Sequence, residues 1–138
     1  MTLKRIQASF PVWDYYYSPH LPLDRNAKIL DLGCGNGAFV YYLQQRGYNQ
    51  VTGVDVSVQQ IEEGKTLGIQ SILLGDAKEF LSNNMSQFDC IIARDVIEHF
   101  TRQEAFDLIS MICDSLRSGG KFIMQVRRGI QAEFLHPT

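Results

Sequence analysis

Apolar and polar positions along this chain alternate between two kinds of segment. Short runs dominated by apolar residues, near 28–32, 50–54, 70–74, 88–93 and 121–126, predict five strands. Stretches with helical spacing fill the gaps. The first covers roughly 37–46 and ends at Gly47, a residue type suited to the position after a helix. The second is introduced by Ser57 with Gln60 three residues on, the pattern of a capping box, and stops around Gly68. Asp76 and Glu79 repeat that pattern ahead of a short helix. The clearest helix spans 101–117, where Thr101 and Glu104 form a capping box and Ala105, Ile109, Ile112 and Leu116 make a seam expected to face the sheet. Gly119 and Gly120 are expected to close that helix and hand the chain to Phe122-Ile123-Met124.

Strands that alternate with helices predict an α/β fold with a parallel sheet and crossover helices. The first residues differ: Phe10, Trp13, Tyr16 and Tyr17 fall at helical spacing, with a stop at Pro19. The simpler reading is a helix packed against the domain, and a lid facing the substrate is the alternative. At 138 residues the chain is one domain, long enough to bury a core without staples. Its expected parts are a cover helix in 1–24, a sheet core in 25–127 and a short tail in 128–138.

Charge and cysteine usage narrow the partners. The net charge is −2, and lysine and arginine are spread along the chain, which weighs against a nucleic-acid backbone as partner. Arg127-Arg128 is the one adjacent basic pair near a predicted strand end, and it reads as a solvated turn. The three cysteines, Cys34, Cys90 and Cys113, lack the paired spacing of a zinc site, so no metal is expected and a reducing, cytoplasmic setting is the simplest reading. The N-terminus lacks an apolar signal core, and nothing approaches the length of a membrane span.

The densest chemistry lies in Ile29-Leu30-Asp31-Leu32-Gly33-Cys34-Gly35-Asn36-Gly37, an apolar strand that runs into a carboxylate and three alternate glycines. Glycines there let the backbone turn sharply and let a ligand approach closely, and a helix start presents N–H groups to an anion. Gly33, Gly35 and Ala38 satisfy the spacing of a dinucleotide site, so spacing alone leaves a nicotinamide-dependent oxidoreductase open. Asp31 argues otherwise: its charge would repel a pyrophosphate and attract the ammonium of an amino acid. The run Asp31 to Gly37 resembles the first motif of the class I S-adenosylmethionine-dependent methyltransferases.

Other strand ends fit that resemblance. Asp55 closes the second strand roughly 20 residues beyond the glycine turn, where a carboxylate accepts both hydroxyls of a ribose. A helix-cap role is the bland reading, and Ser57 already supplies the cap. By resemblance, Asp76 accepts the adenine amino group and the Ala77 N–H meets a ring nitrogen, although Asp76 with Glu79 is also a good capping pair. The fourth strand begins Phe88-Asp89 and leads into Arg94-Asp95-Val96-Ile97-Glu98-His99-Phe100, which resembles small-molecule methyltransferases whose backbone here meets the methionine moiety. An Arg94 side chain beside a sulfonium would be repelled, so Arg94 is assigned a backbone contact at most. The resemblance implies S-adenosylmethionine as cofactor, held by Asp31, Gly33, Cys34, Gly35, Asn36, Gly37, Asp55, Val56, Asp76, Ala77 and Arg94, with Tyr17 touching it from the N-terminal helix.

His99 is the one obvious general base, with an ordering role in the loop before Thr101 as the simpler alternative. Methyl transfer needs no protein nucleophile, because the sulfonium is already activated. The resemblance covers roughly 29–126 and implies a doubly wound, Rossmann-like sheet of order 3-2-1-4-5 with helices on both faces. Members of that family normally continue into a helix and a final hairpin, so a missing hairpin and a truncated chain are expected here. A bare fifth strand would then either pair with a second copy, giving a homodimer, or be covered by 129–138 folding back. The expected activity is methyl transfer to a small-molecule acceptor. A catalytically silent cofactor-binding module is the alternative.

Overall fold

The computed structural model describes residues 1–126 and 129–137, the side chains of 129–132 excepted. Six strands, β1 (Lys28–Leu32), β2 (Gln50–Asp55), β3 (Ile72–Leu74), β4 (Phe88–Arg94), β5 (Leu116–Val126) and β6 (Gly129–Leu135), form one sheet in the order β3-β2-β1-β4-β5-β6. The first five pair in parallel, as expected from the alternation of elements. Helices α1 (Leu3–Gln7), α2 (Phe10–Tyr17), α3 (Ala38–Gln45), α4 (Val58–Thr66), α5 (Ala77–Ser82) and α6 (Arg102–Ser115) complete the fold. Among the described residues, no helix is long and apolar enough to cross a membrane.

Successive side chains of a strand point to opposite faces, so each central strand feeds two cores. Ile29, Cys90, Ile92 and Ile123 pack with Phe10, Phe39, Tyr42 and Ile61 on one face. Leu30, Leu32, Ile91 and Phe122 pack with Leu81, Leu108 and Ile112 on the other. The N-terminal helix behaves as a packed helix: Phe10 and Tyr17 are buried, and Trp13 meets Phe39 and Tyr42 edge-on at 5.4 Å each. Tyr16 turns outward.

Three expectations need correction. First, residues 129–135 are not an unpaired tail: they fold back onto the fifth strand, one of the two outcomes expected for its open edge, as β6, which runs antiparallel to β5 from Val126↔Gly129 to Lys121↔Leu135. The edge of β5 is therefore taken by the chain's own backbone and is closed to a second copy in this structure. Glu133 pins the strand down, because its carboxylate meets Lys121 Nζ at 2.9 Å and the His20 ring. Second, α6 presents Leu108, Ile112 and Ser115 to the core, not the full predicted seam. Ala105 and Ile109 are half-buried, Ile109 packing against the same core that Leu116 joins from β5, and the helix also meets α5, where Ser115 Oγ donates to the Leu81 carbonyl at 3.1 Å. Third, Gly119 and Gly120 do not end that helix but lie within β5, which begins at Leu116.

The helix caps follow the sequence. The Ser57, Asp76 and Thr101 side chains each accept a hydrogen bond from the backbone three residues on, and Thr101 with Glu104 completes a reciprocal box. These caps set the first turns of α4, α5 and α6 and leave the C-terminal ends of β1 to β4 facing one cleft.

Candidate functional site

That cleft, about 360 Å³, lies where an open α/β sheet places its ligand, outside the carboxyl ends of the strands. Gly33, Asp55, Val56, Asp76, Ala77, Arg94 and His99, all singled out from the sequence, line it. Asp31, Cys34, Gly35, Asn36, Gly37 and Tyr17 are not in that lining; Cys34, Gly35 and Tyr17 touch it through hydrogen bonds to Val54, Asp55 and Arg94.

The glycine turn after β1 is held from within. The Gly33 and Cys34 amides donate to the Val54 carbonyl at 2.8 and 2.9 Å, and the Gly37 amide donates to the Cys34 carbonyl at 3.0 Å. The Gly35 amide donates to Asp55 Oδ2 at 2.8 Å, and the Ala38 amide to Asn36 Oδ1 at 3.0 Å. The start of α3 is thus not the open anion site expected of a helix N-terminus, because its nearest donors already have acceptors. A pyrophosphate would have to displace them. Gly33 has φ +77°, and a Cβ there would sit 2.5 Å from Val96 Cγ2, so glycine is needed both for the turn and for the close approach of the β4 loop.

Three carboxylates stand along this edge, one from each of three adjacent strands. Asp31 of β1 is 2 % exposed, and no side-chain hydrogen bond to its carboxylate exists among the described residues. Burial pushes its pKa up to about 6; the Arg94 charge offsets this, and the neighbouring Asp55 adds to it. Asp55 of β2 accepts from Gly35 through one oxygen and from the Ser57 amide through the other, at 2.8 Å each. Its role as a brace between the glycine turn and the entry to α4 was not foreseen. A carboxylate has about four acceptor sites, so two remain for a diol. Asp76, just beyond β3, caps α5 by accepting from the Glu79 amide at 3.1 Å, and its second oxygen is not engaged in that bond. Ala77 is the first residue of α5, where an amide has no acceptor within the helix.

The β4 end supplies the rest of the cleft. Arg94 carries its guanidinium against the N-terminal helix, where Nε donates to Tyr17 Oη at 2.9 Å. Asp95 holds φ +57°, an unusual conformation for a residue with a side chain, with its amide donated to the Gln125 carbonyl at 2.8 Å. His99 sits on the 3-10 turn Ile97–His99 at the exposed rim, with no side-chain hydrogen bond to a described residue. Tyr17 is 2 % exposed, and burial raises its phenol above the ordinary range. Cys34 is likewise buried, and its thiol is raised well beyond the usual range by burial and by Asp31 and Asp55, so it is no nucleophile.

Val96, Phe100 and Gly75 also line the cleft and were not assigned from the sequence. Gly64 is a further surprise. A Cβ there would fall 2.1 Å from the Asn36 carbonyl oxygen, so α4 rests directly on the glycine turn. A glycine in the middle of a predicted helix is the signal that could have flagged it.

A doubly wound sheet with a glycine turn after β1 and acidic residues at the ends of β1, β2 and β3 defines a nucleoside-binding fold of the class I methyltransferase type. The methyltransferase-domain family matches residues 30–124, and the chain belongs to that family. Curated relatives include a ubiquinone biosynthesis O-methyltransferase of Xylella fastidiosa, 28 % identical over 96 % of this chain and 54 % of its own length. A tRNA U34 carboxymethyltransferase of Saccharophagus degradans is 30 % identical over 91 % of this chain and 40 % of its own. The chain thus spans about half the length of the curated relatives it matches. Among solved structures, the PH0226 protein of Pyrococcus horikoshii superposes with a TM-score of 0.67 at 32 % identity, over 88 % of this chain and 56 % of that one.

Proposed function

We propose that the cleft binds S-adenosylmethionine and that the chain serves as the donor half of a methyl transfer to a small-molecule acceptor. The observation that carries this reading is the row of carboxylates Asp31, Asp55 and Asp76 on adjacent strand ends. Along its length adenosylmethionine presents a row of hydrogen-bond donors in the same order: an ammonium, a ribose diol and an adenine amino group. A dinucleotide would bring a pyrophosphate against Asp31 and against amides already taken.

When bound, adenosylmethionine supplies an already activated methyl group. The protein's share is placement. In this reading Asp31 takes the ammonium, the two free acceptor sites of Asp55 take the diol, and Asp76 with the Ala77 amide takes the base. Gly33 leaves the space that a Cβ would fill, and Val56, on the lip of β2, covers the sugar. Holding donor and acceptor in line is the main source of rate in such a site. In this reading His99, which lines the cleft at its exposed rim, takes a proton from the acceptor through its ring nitrogen.

The rim also bears on the acceptor. Among the described residues, Asp55, Asp76 and Asp95 line the cleft, and Arg94, the one arginine or lysine in that lining, is engaged with the N-terminal helix. This charge disfavours a phosphate backbone and favours a small neutral or cationic acceptor over a tRNA. Calorimetry with S-adenosylhomocysteine, S-adenosylmethionine and NAD tests the donor side. Binding of the first two with little or no NAD binding is expected; equal or tighter NAD binding would reject the reading. Tight adenosylmethionine binding without methyl transfer to any small acceptor would favour a silent binding module.

A further inference from the structure

Arg94 is a cation with an unusual seat. Its guanidinium lies 4.5 Å from the Phe39 ring, 5.0 Å from Trp13 and 5.4 Å from Tyr17. Nε also lies 2.9 Å from Tyr17 Oη and 3.3 Å from Gln125 Oε1. The side chain therefore joins four elements: it leaves β4, stacks on α2 and α3, and reaches β5. Arg94 is the partner of Gln125 in the β4–β5 register, and Asp31 is the partner of Ile92, two residues earlier on β4. By strand alternation Arg94 and Ile92 share a face, so Arg94 stands on the same side of the sheet as Asp31 and one step nearer the cleft.

We infer that Arg94 is a latch: it docks the N-terminal helix α2 over the strand ends, and from the same seat supplies the counter-charge for Asp31. It is a positioning residue, acting on ligand through Asp31 and α2. The inference rests on the proposed ammonium site for its second half only. The docking half stands on the cage alone.

Charge explains why one residue does both. A flat guanidinium tolerates burial against aromatic faces better than a compact ammonium, because it is weakly hydrated and attracted to the ring quadrupole. Once seated, it stands on the same face of the sheet as Asp31, whose carboxylate burial would otherwise neutralise. The groups that bear on Asp31 are Arg94 from β4, Asp55 from β2, Tyr17 from α2 and Cys34 from the glycine turn. Among the described residues, only Arg94 of these is positive. Without it, burial and Asp55 act unopposed, and the carboxylate holds its proton to higher pH. An ammonium ligand needs the ionised form, so its affinity falls as pH drops through the Asp31 value.

The chain has a single tryptophan, and it is Trp13, so its emission reports the cage directly. Arg94→Gln is expected to shift that emission to the red and raise its quenching by acrylamide. Arg94→Lys should do the same, because a lysine keeps the charge and loses the stacking plane. The two should part in S-adenosylhomocysteine titrations. The pH at which affinity is half lost should move up by about one unit in Arg94→Gln and stay near the parent value in Arg94→Lys. Tyr17→Phe removes only the Nε partner and should shift the emission less, in the same direction. Unchanged Trp13 emission and quenching in Arg94→Gln overturns the latch; if that variant does not fold, unchanged emission in Tyr17→Phe overturns it. A pH midpoint that does not move in Arg94→Gln overturns the counter-charge role. Failure of the parent chain to bind S-adenosylhomocysteine would defeat the donor-site reading, while the fluorescence comparison would still decide the docking.

Discussion

At the β1–β3 end of the cleft, the polar groups come from residues at or just beyond a strand end, braced by their own neighbours in sequence. Asp55 reaches the Ser57 amide, Asp76 caps its own helix and Asn36 caps the start of α3. At the β4–β6 end the same kind of work is done across long separations. Arg94 meets Tyr17, Lys121 and Glu133 meet each other across two strands, and Glu133 meets His20. One end adds to these local bonds backbone-anchored links between neighbouring strand ends, as from the Gly35 amide to Asp55, whereas the other is held by bonds between side chains. The first should resist loss of distant elements, and the second should loosen before the fold does.

The strongest way to break this contrast is Gly64→Ala. The added Cβ would meet the Asn36 carbonyl oxygen at 2.1 Å and Ile72 Cδ1 at 2.4 Å, and a backbone atom cannot swing aside. Helix α4 must then lift off the glycine turn. A stability loss of about 3 kcal/mol in denaturant unfolding is expected, together with weaker S-adenosylhomocysteine binding. Unaltered stability would show that the motif end is less tightly built than its contacts indicate.

A finer probe separates the two duties of Asp55. Asp55→Ala removes the acceptor for both the Gly35 and Ser57 amides, and should lower stability as well as ligand affinity, each by about 1–3 kcal/mol. Asp55→Asn retains one acceptor oxygen and should recover part of the stability but less of the affinity. Equal recovery of both in paired unfolding and calorimetric measurements would count against a ribose contact.

The smallest effect is expected at the other end. Glu133→Gln weakens a partly exposed link to Lys121 and His20, and should cost about 0.2–1 kcal/mol. Ligand affinity should be unchanged, and amide exchange in β6 should accelerate. The sign of the pH dependence follows from the carboxyl, which Lys121 and His20 hold below its ordinary value of 4.5. An acid with a depressed folded-state pKa contributes stability that is present above its unfolded value and is lost as pH falls through the folded one. The parent should therefore converge with Glu133→Gln on acidification below about pH 4. A difference that persists at low pH would exclude the ion pair as its source.

Much of the donor end was legible without coordinates. The strand run into Asp31, the alternating glycines and the three capping pairs are local patterns whose physics acts within a few residues, so periodicity and turn chemistry determined the alternation of strands and helices and the helix starts at Ser57, Asp76 and Thr101, while the order of the sheet was implied by the family resemblance. The motifs do not contain their own surroundings. Val96 lies against Gly33, and Gly64 against Asn36, only because β4 and α4 are brought there by the sheet. Of the predicted seam of α6, Ile112 and Leu116 are buried in the core and Ile109 packs against it, while Leu108 and Ser115 are buried beside them, because a 3.6 period marks an apolar face but not which neighbours it meets, here α5 as well as the sheet. For residues 129–135 the sequence left open a short tail, with the edge paired by a second copy, or a fold-back onto the fifth strand; pairing with β5 makes them a strand, since backbone hydrogen bonds to an existing edge supply what local propensity lacks. The seat of Arg94 was decided in the same way. Sequence showed a cation where a sulfonium would repel it, and only the meeting of α2, α3, β4 and β5 supplied the aromatic faces that hold it elsewhere.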